Sequence, residues 1–335
     1  MPDDYLWDPA AAPDPEIERL ERLLRPAAHQ PVPLRVEAMP RRARHIRVGV
    51  WAALAATAVL AVGGLSVLRR ARLAAPSTVT AARGTPVVRN TTGATVSGVL
   101  ARGGVVETDA QSSAALVVGR IGRAELGPGS RLRLIGDGAS EHRLALERGT
   151  MHASIDAPPR YFLVQTASAL AVDLGCVYTL TADEQGNGRL AVEQGEVELQ
   201  LGDLTVAVLA GNAASLRNGV GPGLPYPVRA GDALRRAVAM YDAAPSSEAA
   251  VNAVLAAADA RSTITLWHLL RRARPSARER VYARLAAFAP PPTSVTRERV
   301  LRGESGALQR WRTELQPSWA VEPPLWRQVW LAVRR

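Results

Sequence analysis

Twenty-one residues, Val48 to Leu68, read VGVWAALAATAVLAVGGLSVL and carry no charge. A helix that crosses about 30 Å of hydrocarbon needs roughly 20 apolar residues. A run of this kind admits two folds, a membrane-spanning helix or a helix sealed inside a soluble core. The flanks favour the first. Arg41, Arg42, Arg44 and Arg47 precede the run, and Arg69, Arg70 and Arg72 follow it. Guanidinium groups at both ends reach headgroups while their stems lie along the apolar boundary. Trp51 lies about one turn inside the N-terminal boundary, where interfacial aromatics collect. The run starts too deep in the chain and is too long for a cleaved leader. It reads as a retained single-pass anchor.

Charge alone does not orient that anchor. Within about 15 residues of its ends, Arg35, Arg41, Arg42, Arg44 and Arg47 stand on one side and Arg69, Arg70, Arg72 and Arg83 on the other. The net charge of +10 comes entirely from arginine, since the chain has no lysine. It is concentrated at the C-terminal end, where residues 218–335 hold 18 Arg against 9 acids, a surplus of nine. Residues 84–217 are slightly acidic, with 11 Arg against 14 acids. A basic C-terminal part can meet nucleic acid, anionic lipid or an acidic partner. Cys176 is the only cysteine, so no disulfide and no cysteine metal cluster forms within one chain.

Before the anchor, DPEIERLERLLRP is a signalled helix. Asp14 can cap it, Pro15 suits its first position, and Pro26 ends it. Glu18 with Arg22 and Glu21 with Arg25 are i,i+4 pairs. Ile17, Leu20 and Leu24 share one face, with Leu23 beside them. So short a helix is marginal alone in water. Its stripe therefore either docks into a partner groove or packs on the YLW segment or the membrane surface. HQPVPLRVEAMP after it is a proline-broken linker.

From residue 85 to 217 short apolar runs alternate with glycine-rich turns at a spacing of about 8–12 residues. This predicts an all-β domain of about ten strands, as a sandwich, roll or β-helix-like stack. Residues 69–84 and 218–230 read as linkers. From 231 to 335 the pattern is helical, with capping residues at Asp232, Ser246, Ser262, Ser276 and Thr296 and prolines at 275, 290–292 and 317. The tryptophan-rich tail PSWAVEPPLWRQVWLAVRR docks back on the domain or lies on a membrane surface.

The β region contains, in order, GVVETDAQSSAALVV, LGPGSRLRL, LALERGTMHASI, YFLVQT, VDLGCVYTLTAD and LAVEQGEVEL. This order resembles the FecR domain, with its L-x-x-G-S-x-L-x-L hairpin, phenylalanine-centred strand, L-G-[TC]-x-[FY] strand and V-x-x-G-x-V. The resemblance implies a membrane-anchored signal transducer. Its FecR domain would lie outside the cytoplasmic membrane, and its N-terminal segment would hold or assist an extracytoplasmic-function sigma factor. Residues 1–47 would then be cytoplasmic and the remainder periplasmic. Members of that family usually place several helices before the membrane, whereas this chain has 47 residues and one clear helix there.

No enzyme constellation is visible. The histidines His29, His45, His142, His152 and His268 lack metal-ligand spacing. No H-E-x-x-H, G-x-S-x-G or P-loop occurs. Ser130 reads as a turn serine and Cys176 as a small buried side chain. His142 and His152 fall on neighbouring predicted strands, where surface positions are the expectation and a sensor pair the alternative. Arg278, Arg280 and Arg284 in RRARPSARERVYAR read as a solvated helix face.

The expectation is thus an α+β multidomain chain: a short N-terminal helix in 1–47, a transmembrane helix at 48–68, a mainly-β FecR-like domain at 85–217 and an all-α C-terminal domain at 231–335. The functional expectation is a non-enzymatic inner-membrane signal transducer. It uses no cofactor and no metal. It engages a sigma factor through Ile17, Leu20, Leu23 and Leu24, and a periplasmic or outer-membrane protein on the other side, with no nucleic acid. Two alternatives stand beside it. One is an envelope scaffold without sigma regulation. The other is a reversed topology whose basic helices bind nucleic acid.

Overall fold

A computed structural model describes residues 76–90, 93–138 and 140–320, together with Glu16, Arg19, Arg22 and Leu23. The run Val48–Leu68, its flanking arginines Arg41, Arg42, Arg44, Arg47, Arg69, Arg70 and Arg72, and the tail 321–335 lie outside the described residues. Among the described residues, no helix is long and apolar enough to cross a membrane.

Eighteen strands occur among the described residues. The first six are β1 (Ser77–Arg83), β2 (Val87–Asn90), β3 (Gly93–Thr95), β4 (Gly98–Leu100), β5 (Val105–Glu107) and β6 (Ser113–Val118). Then come β7 (Gly122–Leu126), β8 (Arg131–Asp137), β9 (His142–Ile155), β10 (Phe162–Gln165), β11 (Leu170–Asp173) and β12 (Val177–Ala182). The last are β13 (Gly188–Gln194), β14 (Glu196–Leu201), β15 (Leu204–Leu209), β16 (Asn212–Arg217), β17 (Gly221–Pro222) and β18 (Tyr226–Pro227).

They form one mixed sheet doubled back on itself through β9. One layer runs β4-β1-β6-β7-β9-β12-β13-β16, with β17 and β18 beside β16. The other runs β3-β2-β5-β8-β9-β10-β11-β14-β15. All pairs are antiparallel except β9–β10.

The 14-residue β9 belongs to both layers because its side chains change phase. His142, Leu144 and Leu146 point inward in its first half, then Met151, Ala153 and Ile155 in its second. A strict period of two would expose one of these sets. The slip occurs around Gly149, whose φ of +98° is open to glycine and closed to most side chains. A Cβ there would sit 2.4 Å from the Ser130 Cα.

Alternation elsewhere is regular. In β8, Leu132 and Leu134 are buried while Arg131 and Arg133 face outward to Glu147. The inner faces of both layers share one apolar core, with Val79, Leu116 and Met151 from one and Val88, Val106 and Leu144 from the other.

Six helices follow: α1 (Asp232–Ala243), α2 (Glu248–Ala257), α3 (Thr263–Arg272), α4 (Pro275–Phe288), α5 (Arg297–Leu301) and α6 (Ser305–Trp319). α1, α4 and α6 each turn a row spaced by three or four residues toward a second core. Leu234, Val238 and Tyr241 of α1 do so, as do Val281 and Leu285 of α4 and Ala307, Trp311, Leu315 and Trp319 of α6. Ala207 and Leu209 of β15 join this second core, so the sheet supplies part of its floor.

Several local expectations are corrected. The predicted linker 69–84 contains β1, whose Val79 is buried, and the predicted linker 218–230 contains β17 and β18. Among the described residues, the range 85–217 holds fifteen strands, β2 to β16, rather than about ten, because many are only three or four residues long. Gly231, not Asp232, caps α1, and Ser247, not Ser246, caps α2 by accepting from the Ala250 N–H at 3.3 Å. Ser262 closes a box with Asp259 around a 3-10 turn rather than capping α3 with its side chain. Pro275 opens α4, which places Ser276 inside the helix, and Thr296 precedes α5 without a side-chain cap bond. Pro317 lies inside α6 instead of ending it.

Candidate functional site at the sheet–helix junction

The sheet and the helices are joined by buried polar groups. Asp242 sits near the end of α1, four residues after Val238 and eight after Leu234, on the helix face that enters the core. Its Oδ1 accepts from the Leu224 N–H at 2.9 Å, and its Oδ2 takes the hydroxyl of Ser215 on β16. Burial pushes its carboxyl upward, against those bonds and the charges of Arg272 and Arg217. Arg272, at the end of α3, donates to the Pro222 carbonyl at 3.1 Å and the Gly223 carbonyl at 3.4 Å. Gly223 has no room for a side chain, since a Cβ would lie 2.1 Å from the Asp242 Oδ2. A cavity of about 260 Å³ opens beside these groups, bordered by Tyr241, Ser246 and Arg274.

Two further ties come from α6. Arg312 reaches the Glu196 Oε1 at 3.0 Å and Gln316 its Oε2 at 3.1 Å. Burial raises the Glu196 carboxyl and Arg312 opposes this. Asn212 of β16 donates to the Trp319 carbonyl at 2.7 Å, and the Trp319 indole donates to the Thr263 hydroxyl at 3.1 Å. Thr265 closes the set with a 2.7 Å bond to the Pro225 carbonyl. Polar groups in a low-dielectric junction are costly when unpaired, and these fix orientation because all but the Trp319–Thr263 pair join the helices to the sheet side. The chemistry is that of a rigid coupling. Asp242, the most buried acid there, has both carboxylate oxygens occupied.

The residues singled out in the sequence are dispersed. Leu23 is helical and 70% exposed, and Glu16, Arg19 and Arg22 are also helical and exposed. Ile17, Leu20 and Leu24 lie outside the described residues. His142 and His152 are not on neighbouring strands; they lie ten residues apart on β9. His142 is buried, stacked on Phe162 with its Nε2 3.4 Å from the Ser77 hydroxyl. His152 is near Thr179 at 3.1 Å and Glu193 at 3.5 Å. Ser130 is buried in its turn and donates to the Gly127 carbonyl at 2.7 Å. Cys176 is buried, its thiol on the Glu196 carbonyl at 2.7 Å and pushed up to about 12 by burial. Among the described residues, no group of three His, Cys, Asp or Glu is placed to hold a metal ion.

The solvated-face expectation holds for Arg280, which is exposed, and is corrected for Arg278 and Arg284. Arg278 donates to the carbonyls of Leu301 and Ala273, Arg280 pairs with Glu248, and Arg284 donates to the Ala258 carbonyl over the Phe288 ring. These guanidiniums are helix-to-helix ties.

Sequence reasoning missed Asp242, Arg272, Asn212 and Glu196. A signal existed for Asp242, an acid in phase with the apolar face of α1. Asn212 and Glu196 lie at strand starts beside glycine turns and gave none.

Residues 104–198 match the family model described as FecR protein. Two crystal structures of a proposed anti-sigma factor from Parabacteroides distasonis ATCC 8503, at 1.65 and 2.50 Å resolution, each align with 16% identity and a TM-score of 0.33. The alignments cover 37% of this chain and 59% of that one, so the chain spans about three-fifths of the length of the protein it matches. No curated protein matches the sequence.

Proposed function

The chain carries a FecR domain, and from that premise we propose that it is a non-enzymatic, single-pass signal transducer of the inner membrane. The observation that carries this reading is the FecR match over residues 104–198, downstream of the 21-residue uncharged run Val48–Leu68 with arginines at both ends. On this reading residues 1–47 are cytoplasmic and the sheet and helices are periplasmic. A periplasmic or outer-membrane partner engages the sheet–helix unit, the membrane helix reports the event, and the stripe Ile17, Leu20, Leu23 and Leu24 engages an extracytoplasmic-function sigma factor. The junction supports such a relay, because a partner that seats on the helices moves the sheet with them.

The first experiment is topology by protease accessibility of a C-terminal tag in spheroplasts and in lysed cells. Digestion in intact spheroplasts is the expected result; protection until lysis overturns the orientation and revives nucleic-acid binding by the basic helices. The second is capture of the cell's sigma factors by the full chain, wild type and Leu20→Asp. A sigma factor retained by the wild type and lost in the variant is expected. None retained by either replaces the transducer with an envelope scaffold.

A further inference from the structure

We propose that the open cavity bordered by α3, α4, α5 and the start of α6 is a binding site for a phosphate group. It has a volume of about 310 Å³, and Arg271, Arg278, Arg302, Gly303, Ser305 and Leu308 are among the residues that line it. Three guanidiniums converging on one small space repel one another unless a negative group lies among them.

The carboxylates nearby do not supply that charge. Glu304 is shared between two arginines, Arg299 at 2.6 Å and Arg302 at 2.6 Å, so that group keeps a net positive charge. Arg278 gives its hydrogen bonds to two neutral carbonyls, Leu301 at 2.9 Å and Ala273 at 3.1 Å. Arg271 stands 5.0 Å above the Trp267 ring and has no carboxylate within 4 Å among the described residues. Arg312, on the same ring at 5.7 Å, has its charge matched by Glu196. Partial burial and the Arg312 charge both lower the Arg271 guanidinium from its ordinary range. Four arginines, Arg271, Arg278, Arg299 and Arg302, therefore outnumber the two carboxylates beside them, Glu304 and Glu298, both of which feel the Arg302 charge.

Phosphate is the anion whose shape fits. Guanidinium forks present paired N–H donors matched to tetrahedral oxyanions. The Ser305 hydroxyl borders the cavity, and α6 starts there with its positive end; no side chain caps it. The volume admits one phosphate group with a short substituent. Both free phosphate and the headgroup of a phosphatidic acid carry that chemistry.

The test titrates the full chain, purified in a non-ionic detergent, by calorimetry at constant ionic strength. The probes are inorganic phosphate, dihexanoyl phosphatidic acid and, as a neutral control, dihexanoyl phosphatidylcholine. Arg271→Gln removes a charge that makes no hydrogen bond within the fold. Ser305→Asp puts a carboxylate at the cavity edge, in the first turn of α6 where the helix favours it, so folding is retained. Arg310→Gln, on the exposed side of α6, is the control.

Saturable binding of phosphate or phosphatidic acid, weakened at least tenfold by Arg271→Gln, abolished by Ser305→Asp and unchanged by Arg310→Gln, is expected. Tenfold preference for phosphatidic acid assigns a lipid headgroup; equal affinity assigns free phosphate. No saturation by either probe at about 10 mM overturns the site, as does binding that all three variants leave unchanged. These results do not depend on whether a sigma factor is captured.

Discussion

Two buried groups of the β domain titrate in opposite senses. His142 is 2% exposed, and burial pulls its imidazole down from 6.5 to about 4, with Asp137 acting the other way. Asp173 is 2% exposed, and burial pushes its carboxyl from 3.8 up to about 6, although the Gly175 N–H donates to it at 2.5 Å. The folded state of His142 holds fewer protons than the unfolded chain. Its contribution to stability is full above pH 6.5 and is lost as pH falls toward 4. The folded state of Asp173 holds more protons. Its contribution is full below pH 3.8 and is lost as pH rises through 6. At about 1.4 kcal/mol per pKa unit, each changes by roughly 2–3 kcal/mol between pH 6.5 and 4. The two nearly cancel in the wild type, so each substitution unmasks the other. Asp173→Asn should lose roughly 2–3 kcal/mol relative to wild type on going from pH 6.5 to 4, and His142→Gln should gain a similar amount over the same interval. Guanidinium unfolding of the purified chain, followed by circular dichroism at a series of pH values, reads both differences. Constant offsets from wild type across that range, for both variants, would refute the reasoning. The offset itself measures lost packing and carries no proton linkage.

Gly149→Ala should destabilise the β domain by about 2 kcal/mol or more in the same unfolding experiment, because it places a side chain at φ +98° against the Ser130 backbone. Trp311→Ala should cost about 3–5 kcal/mol, since Trp311 is fully buried and packs edge-on to Tyr282 in the helical core; tryptophan fluorescence should report a lowered midpoint. Arg312→Met should cost about 1–3 kcal/mol near neutral pH. It leaves Glu196 charged and without its guanidinium, and the cost should shrink as the solution is acidified and Glu196 takes up a proton.

The alternation of buried and exposed residues was legible wherever a strand was long enough to show it, as in RLRLIGD of β8 or VYTLTA of β12. The two-residue strands β17 and β18 were not. Their sequences, GP and YP, carry turn residues, and only pairing with β16 makes them strands. The same holds for β1: STVTAAR falls in the predicted linker 69–84, yet β4 and β6 pair with it on its two sides. Helix starts were misplaced by one residue where two capping side chains adjoin, as at Ser246 and Ser247. The junction was least legible, because Asn212 meets Trp319 across 107 positions and Glu196 meets Arg312 across 116. No local pattern encodes such pairings. The arginine run was visible as charge, but its use was not. Whether Arg278 faces water or a carbonyl depends on where Leu301 returns.

The junction constrains how the proposed relay works. Signals pass through proteins by elements with two discrete arrangements, and the polar ties between sheet and helices leave little room for one there. Asp242, Arg272, Asn212, Glu196 and Thr265 would all have to lose partners together, in a setting where each unpaired polar group costs about 1–3 kcal/mol. The first described strand is no freer: β1 is paired over most of its length, and its own Val79 is fully buried. A cue that seats on the helices is therefore best transmitted by the sheet–helix unit moving or associating as a whole. Displacement then arrives at Ser77 without any rearrangement inside the unit. This places the bistable step either in the contact between that unit and its partner or N-terminal to β1. Substitutions that loosen the junction, such as Arg312→Met, should accordingly blunt signalling without creating a permanently active state.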